Sequence, residues 1–355
     1  MINKVLFFLF RLLYIPVCVI TFLGFMAPYI PIKWLPTLQL IPIFIPYLIP
    51  IHILGAIVIS WKNWRLRSVA IICLGICIWI TSFEFRLNFS GTEQNKTTDL
   101  RVVSYNVESF HYRPERYLDT LSSIFSKINP DLICFQEFNN KKDQSGIEFL
   151  AVLSDRLQLP YRAFYNVSGR VGGAILSKYP ILEDERLYGS KGGANIGMWA
   201  IVETPEKRIG VYNLHLASYR FGSSYSRYKK KNQNDPFKSL LLFIWKRAFE
   251  VIPEQARMAD IAFEHATRHQ GNIIISGDMN SVPYTRIPVK FRKEFQDSYL
   301  VAGRYYGMTY PMIGPLGMRI DYQFSSASLK VSDHQILPIR ISDHYPIVVD
   351  YQFDD

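Results

Sequence analysis

Cysteine is scarce and poorly placed for cross-linking. Of four in 355 residues, Cys18, Cys73 and Cys77 lie among the first 98, and only Cys134 lies beyond them. The later part of the chain therefore has no internal disulfide and no cysteine-based metal site. A stretch of roughly 250 residues buries enough surface to fold without staples, so this scarcity leaves the compartment open. Acidic residues are nearly missing from the first 98, where only Glu84 and Glu93 face Lys4, Arg11, Lys33, Lys62, Arg65, Arg67, Arg86 and Lys96 in an otherwise almost continuously apolar stretch. Of the net charge of +10, only +4 belongs to residues 99–355, a balance ordinary for a soluble domain.

What fills the first part is hydrophobic. Segments 5–30, 38–60 and 68–85 are each long enough, at ~1.5 Å per residue, to cross a ~30 Å hydrocarbon core, the third only just. Three spans are expected, the alternative being a cleaved signal followed by two. Pro42, Pro46 and Pro50 recur every four residues in the second segment, which predicts a kink or carbonyls in need of partners. The connector Trp61-Lys62-Asn63-Trp64-Arg65-Leu66-Arg67 carries three basic residues and the other connector only Lys33. Since Lys and Arg gather on the cytoplasmic side, the amino terminus is expected inside and everything after the third span outside, with Arg11 inside the first span as a discordant note. The expected organisation is a membrane anchor over 1–87, a short linker over 88–99 and a folded domain over 100–355.

From Leu100 onward strands and helices alternate. Strands are predicted over 100–106, 131–137, 173–177, 198–203, 208–215, 319–324 and 347–353, an amphipathic helix over 114–128 and a further helix over 254–269. The run Ile273-Ile274-Ile275 is β-branched and too short for a helix core, so it suits a strand covered on both sides. Gly277 is then expected to let the backbone leave the sheet, with Asp278 and Asn280 pointing the same way by alternation. A carboxylate at the end of a buried strand is costly unless paired with a cation, a proton donor or a water. Taken alone, Gly-Asp-Met-Asn is equally an Asx-turn. Likewise His215 alone reads as a satisfied strand-end histidine, Asp321 as a partner of Arg319, residues 343–346 as a turn, and Asn106 and Glu137 as helix caps.

Together these strand ends form an ordered series: Ser104-Tyr105-Asn106, Phe135-Gln136-Glu137, Asn213-Leu214-His215-Leu216, Gly277-Asp278-Met279-Asn280, Arg319-Ile320-Asp321-Tyr322 and Ser342-Asp343-His344-Tyr345-Pro346. The series resembles the endonuclease/exonuclease/phosphatase superfamily from about Leu100 to the end and leaves the apolar part uncovered. The resemblance implies an α+β fold, a four-layer α/β sandwich of two stacked mixed β-sheets flanked by helices, here preceded by an all-helical anchor. It also implies hydrolysis of a phosphoester with a divalent cation, Mg2+ or alternatively Mn2+. Carried over position by position, it makes Glu137 the main metal ligand, with Asn106 beside it and Asp343 nearby or through water. Asp278 would orient and deprotonate the attacking water, Asn280 would hold a phosphate oxygen, and His344, oriented by Asp321, would donate to the phosphoryl group. His215 would stabilise that group from the other side or protonate the leaving group. An all-oxygen shell suits magnesium, which keeps several waters of its own.

The stretch 218–255 lies outside this scheme. It carries eight basic residues against three acidic ones, so the domain's positive charge is concentrated there. Within it, Phe237, Leu240, Leu241, Ile244, Trp245 and Ala248 share one face of a predicted helix over 236–251, either an interfacial membrane helix or a lid on its own domain. Basic residues beside a phosphoesterase site also suit nucleic acid. A wide apolar face and a bilayer anchor favour a membrane-associated phosphoester, such as a phospholipid headgroup or a lipid-linked phosphate. A surface nuclease is the second reading, and a binding protein that lost catalysis the third. No protein partner is inferred.

Overall fold

The computed structural model describes residues 2–60, 64–88, 98–112, 114–142, 148–166, 171–189, 195–219, 236–313 and 316–353. The chain separates into two compact units. The first comprises Met1–Phe85, Tyr219–Pro253 and Val282–Val289, and the second Arg86–Ser218, Glu254–Ser281 and Lys290–Asp355.

The second unit holds two six-stranded sheets. In chain order the strands of these sheets and of one hairpin are β1 (Leu100–Asn106), β2 (Leu132–Asn139), β3 (Tyr161–Asn166), β4 (Val171–Ser177), β5 (Ile181–Gly189), β6 (Ile196–Glu203), β7 (Arg208–His215), β8 (Asn272–Asp278), β9 (Gln296–Asp297), β10 (Tyr310–Ile313), β11 (Leu316–Met318), β12 (Asp321–Ser325), β13 (Leu329–Ile336) and β14 (Ile347–Phe353). One sheet runs β13-β14-β1-β2-β4-β3 and the other β9-β12-β8-β7-β6-β5, while β10 and β11 form a separate hairpin. Each sheet is mixed, with one parallel pair at its centre, β1 with β2 and β7 with β8.

Alternation along β1 explains the layering. Leu100 and Val102 point into a core shared with Leu132, Cys134, Ile175, Ala200, Val211 and Ile274. Val103 and Tyr105 point the other way, onto Leu121, Phe125 and Leu153 of the helices Leu118–Ile128 and Phe149–Leu157. Two stacked mixed sheets flanked by helices are thus the architecture. A polar stitch crosses the sandwich: Gln136 Nε2 donates to Asn213 Oδ1 (2.8 Å), and Asn213 Nδ2 donates to the carbonyls of Phe135 and Ala174. In a dry core such groups are costly unless paired, and both amide nitrogens and Asn213 Oδ1 are paired, while Gln136 Oε1 has no hydrogen-bond partner among the described residues.

In the first unit, three helical stretches are long and apolar enough to cross a membrane: Arg11–Tyr29, Pro36–Ile57 and Trp64–Thr81. The proline-rich one starts as a 3-10 helix over Pro36–Leu48 and becomes α-helical over Ile49–Ser60. Pro42 and Pro46, which lack an N–H and crowd the preceding turn, account for that departure. Inside this unit His52 is fully buried, with Tyr14 Oη 2.7 Å from Nδ1 and Thr21 Oγ1 2.8 Å from Nε2.

Two helical expectations are corrected. The helix expected from Pro114 begins at Leu118, after a separate 3-10 turn over Pro114–Arg116. The two helices expected over 236–251 and 254–269 are one, Pro236–Arg268, with Pro253 inside it. Proline removes a single backbone bond, which a helix of 33 residues tolerates. The boundary between the two units falls at that proline. Arg220, Arg227 and Lys229–Lys231 of the basic stretch lie outside the described residues.

Candidate active site

The site is assembled at one edge of both sheets by strand ends. His215 ends β7 and Asp278 ends its parallel neighbour β8, paired in register, while Asp321 opens β12 opposite Asp278. From the other sheet come Asn106, the last residue of β1, and Glu137 of β2. Asn106 Nδ2 donates to Asp278 Oδ2 at 3.0 Å. His215 Nε2 lies 3.7 Å from Asp278 Oδ2 and 3.6 Å from Glu137 Oε1.

Backbone irregularity aims these groups. The register of β2 on β4 shifts between Phe135 and Phe138, and Glu137 sits in this bulge with a left-handed φ of 51°. A bulge re-aims a side chain out of the regular alternation, and β2 runs two residues past Glu137 rather than ending there. Gly277 does not release the chain as expected, since it stays paired with both Leu214 and Tyr322. Its φ of +142° and the 1.9 Å that would separate a Cβ from the Leu214 carbonyl explain why glycine is required. The turn comes instead at Asn280, φ 49°, a residue type that tolerates this region. That turn, and not alternation, brings Asn280 back onto Asp278. Its N–H donates to Asp278 Oδ1 (2.8 Å), and its Nδ2 lies 3.1 Å from Asp278 Oδ2 and 3.2 Å from the Leu216 carbonyl. Asn280, expected to hold a phosphate oxygen, thus directs its amide at the carboxylate beside it.

His344 completes the group. Its Nδ1 donates to Asp321 Oδ2 at 2.9 Å, and its Nε2 lies 3.8 Å from both Asp278 Oδ2 and Asp343 Oδ1. Arg319, the alternative partner for Asp321, instead forms a two-pronged pair with Asp297 (2.9 and 2.7 Å), its guanidinium 4.6 Å from the ring centres of Tyr299 and Tyr322. Asp321 is thereby left to His344. Burial lowers the affinity of His344 for its proton, but the charges of Asp321 and Asp278 and the bond to Asp321 carry its pKa up to about 10. Burial and then the charge of Asp321 raise Asp278, against the opposing pull of His344, His215 and the Asn280 N–H, to about 6. An imidazolium is thus shared between two buried carboxylates.

All eight residues singled out from the sequence share this edge, but their exposure differs. Asp278, His215 and His344 form a buried floor, whereas the side chains of Glu137 and Asp343 are 25% and 42% exposed and form its rim. Three contributors carried no readable signal. Thr309 Oγ1 accepts from the N–H of both Ile320 and Asp321, and its carbonyl accepts from Tyr345 N, clamping the two segments that hold Asp321 and His344. Tyr310 places its ring 4.9 Å from the His344 ring. Gln255 Nε2 ties the Asn280 carbonyl to that of Ala217.

The residues fit a divalent cation. Among the described residues no lysine or arginine pairs with Glu137, Asp278, Asp321 or Asp343, so two histidines face four carboxylates. Asn106 Oδ1 accepts from Glu108 N (3.1 Å) and keeps a second lone pair. The donors of Asp278, Asp321 and His344 also lie within 4.8 Å of one another. The bond from His344 Nδ1 to Asp321 Oδ2 already engages two of that trio, and Glu137, Asn106 and Asp343 offer the oxygen donors that a hard cation takes.

Two stacked mixed sheets with a buried Asp–His network and an acidic rim at one edge define a metal-dependent phosphoester hydrolase. Residues 103–344 match the model of the endonuclease/exonuclease/phosphatase family. The chain belongs to that family. Among solved structures, it is similar to a family protein from Leptotrichia buccalis C-1013-b (17% identity, 72% of this chain and 100% of that chain, TM-score 0.51). It is likewise similar to truncated TDP2 of Caenorhabditis elegans (18%, 72% and 98%, 0.50) and to the human Nocturnin catalytic domain with bound sulfate (16%, 72% and 94%, 0.51). These likenesses are of fold. No curated protein matches the sequence significantly.

Proposed function

We propose that the protein is a membrane-anchored, Mg2+-dependent phosphoesterase that hydrolyses a membrane-associated phosphoester by direct attack of water. The observation that carries the chemistry is the Asp278 carboxylate, held by Asn106 and Asn280 and flanked by His215 and His344. Asp278 orients a water and takes its proton as the oxygen attacks phosphorus. Protonated His344, fixed by Asp321, donates to a phosphoryl oxygen and steadies the charge that builds there. His215, on the opposite flank, donates to the departing ester oxygen as the P–O bond breaks. Glu137, Asn106 and Asp343 would hold the cation, which would supply positive charge against the phosphate and the leaving oxygen; Mn2+ is the alternative ion.

Support for a lipid-borne substrate comes from the first unit. Besides three helices of membrane-spanning length, it contains the amino-terminal part of the helix Pro236–Arg268. There Phe243, Ala248, Val251 and Ile252 are buried, while Leu241, Leu242, Trp245 and Phe249 are exposed beside Lys238 and Lys246. A helix that packs with one face and presents aromatic and aliphatic residues with lysines on another suits a lipid interface. The charge of the short loops orients the anchor with the amino terminus in the cytoplasm and the phosphoesterase unit outside.

The test uses the full chain reconstituted in bilayers, beside Asp278→Ala. It is offered phospholipid vesicles and single- and double-stranded DNA, in Mg2+ and in EDTA. Release of a phosphorylated headgroup or of phosphate, lost in EDTA and in the variant, supports the proposal. Cleavage of DNA with intact lipid would make it a surface nuclease, and no metal-dependent turnover would refute catalysis on either.

A further inference from the structure

The chain leaves the phosphoesterase unit at Ser281, contributes Val282–Val289 to the helical unit and returns at Lys290. This excursion begins immediately after the turn that carries Asp278 and Asn280. Tyr284, 2% exposed, is packed in a cluster with Ile45, Cys77 and Ile80. Its ring meets those of Phe25, Trp79 and Phe83 at centroid distances of 6.5, 5.0 and 5.7 Å. Its hydroxyl donates to the Phe25 carbonyl at 3.3 Å. Two residues on, Arg286 N donates to Gln39 Oε1 (2.8 Å), and Gln39 in turn donates to the Ala27 carbonyl (2.6 Å). Buried Gln39 lies in the proline-rich apolar helix, so the amide meets a partner that is itself fixed. On the catalytic side, Met279 N donates to the Ile320 carbonyl and Tyr322 Oη to the Ser281 carbonyl (2.7 Å). Only Val282 and Pro283 separate the two sets of restraints.

We propose that Tyr284 and Gln39 are positioning residues for the reaction: the apolar helices, through the 282–289 segment they hold, fix the carboxyl side of the Asp278–Asn280 turn. An aromatic residue caged by six apolar side chains and a backbone amide bonded to a buried carboxamide are restraints a solvent-exposed loop does not have. A carboxylate that must align a water has little tolerance, since small displacements of a reacting group cost large factors in rate. Catalytic competence then depends on the folded state of the membrane helices even for a substrate that never touches lipid. The kinetic part rests on Asp278 acting as proposed above.

The test compares full-length wild type with Tyr284→Ala, Tyr284→Phe and Gln39→Ala, all in the same detergent micelles with Mg2+. The water-soluble diester bis(4-nitrophenyl) phosphate is the substrate, and hydrogen exchange is followed peptide by peptide. Tyr284→Ala is expected to lower kcat ~10-fold with KM within about twofold, and Gln39→Ala about threefold in the same sense, because orientation is lost and not binding. Exchange should quicken at 278–285 but not in β2 or β7, and Tyr284→Phe, which keeps the ring, should retain the wild-type rate. Unchanged kcat in both alanine variants, or exchange that quickens throughout the phosphoesterase unit, would overturn the proposal. Should the wild type not hydrolyse the ester, the reading of the site fails and exchange alone decides the coupling. Local quickening at 278–281 upholds it, and none overturns it.

Discussion

Two buried histidines, one in each unit, are partnered in opposite ways. His52 has both ring nitrogens within hydrogen-bond distance of hydroxyls, Tyr14 at Nδ1 and Thr21 at Nε2. Thr21 Oγ1 also donates to the Val17 carbonyl, so it accepts from Nε2–H, and the neutral ring is fully satisfied. His344 has Nδ1 on Asp321 but its Nε2 held 3.8 Å from two carboxylates, one of them on the exposed rim. Both ring nitrogens of His52 are taken by hydroxyls, whereas the hydrogen bond of His344 is at Nδ1. Burial alone therefore does not mark a site; a buried donor whose remaining valence faces an open edge does.

This comparison predicts unequal responses to substitution. The largest is at the open histidine: His344→Ala should lower kcat ~10³-fold, within the range for a general acid or a phosphoryl donor, with the fold intact by circular dichroism. A loss under tenfold would break the contrast. Next comes a closed cluster inside the catalytic unit itself, the Asp297–Arg319 pair. Asp297→Asn strips a buried guanidinium of its counter-charge and should cost ~3–5 kcal/mol in denaturant unfolding.

Acid sharpens the contrast further. Buried His334 donates from Nδ1 to Ser298 Oγ, whose own proton goes to the Gln323 carbonyl. Burial and the neighbouring Arg319 charge, against Asp297, push its pKa down to about 3. Unfolded, it titrates near 6.5, so below that pH the unfolded chain binds a proton that the folded one refuses. The contribution of His334 to stability, present above about pH 6.5, should fall on acidification by up to ~1.4 kcal/mol per unit, and His334→Gln should remove that part of the slope relative to wild type in pH-dependent unfolding. The smallest effect belongs to His52's partner. Tyr14→Phe should shift unfolding in detergent by ~1 kcal/mol and leave hydrolysis within about twofold, because interhelical hydrogen bonds are individually weak.

The sequence was legible where burial was symmetrical. All eight interior strands of the two sheets were read from their apolar runs, and all four edge strands, β3, β5, β9 and β13, were missed. β5 shows why. Its Glu183-Asp184-Glu185-Arg186 core is exposed, as an edge that must not pair with another chain requires, and such a run carries no apolar period to read. The residues that meet at the sheet edge were singled out because the strand-end motifs that carry the family resemblance are short and fixed. The bulge at Glu137, the clamp by Thr309 and the pairing of Arg319 with Asp297 were not, because each depends on a register or on a partner distant in sequence. The continuity of helix Pro236–Arg268 was hidden by Pro253, which reads as a break and acts as a tolerated gap.

The left-handed backbone at Glu137 sets stability against activity at one position. A non-glycine residue there costs ~1–2 kcal/mol that glycine avoids, partly offset by the greater freedom glycine loses on folding. Glu137→Gly should therefore fold at least as stably as the natural protein while losing the central carboxylate of the rim.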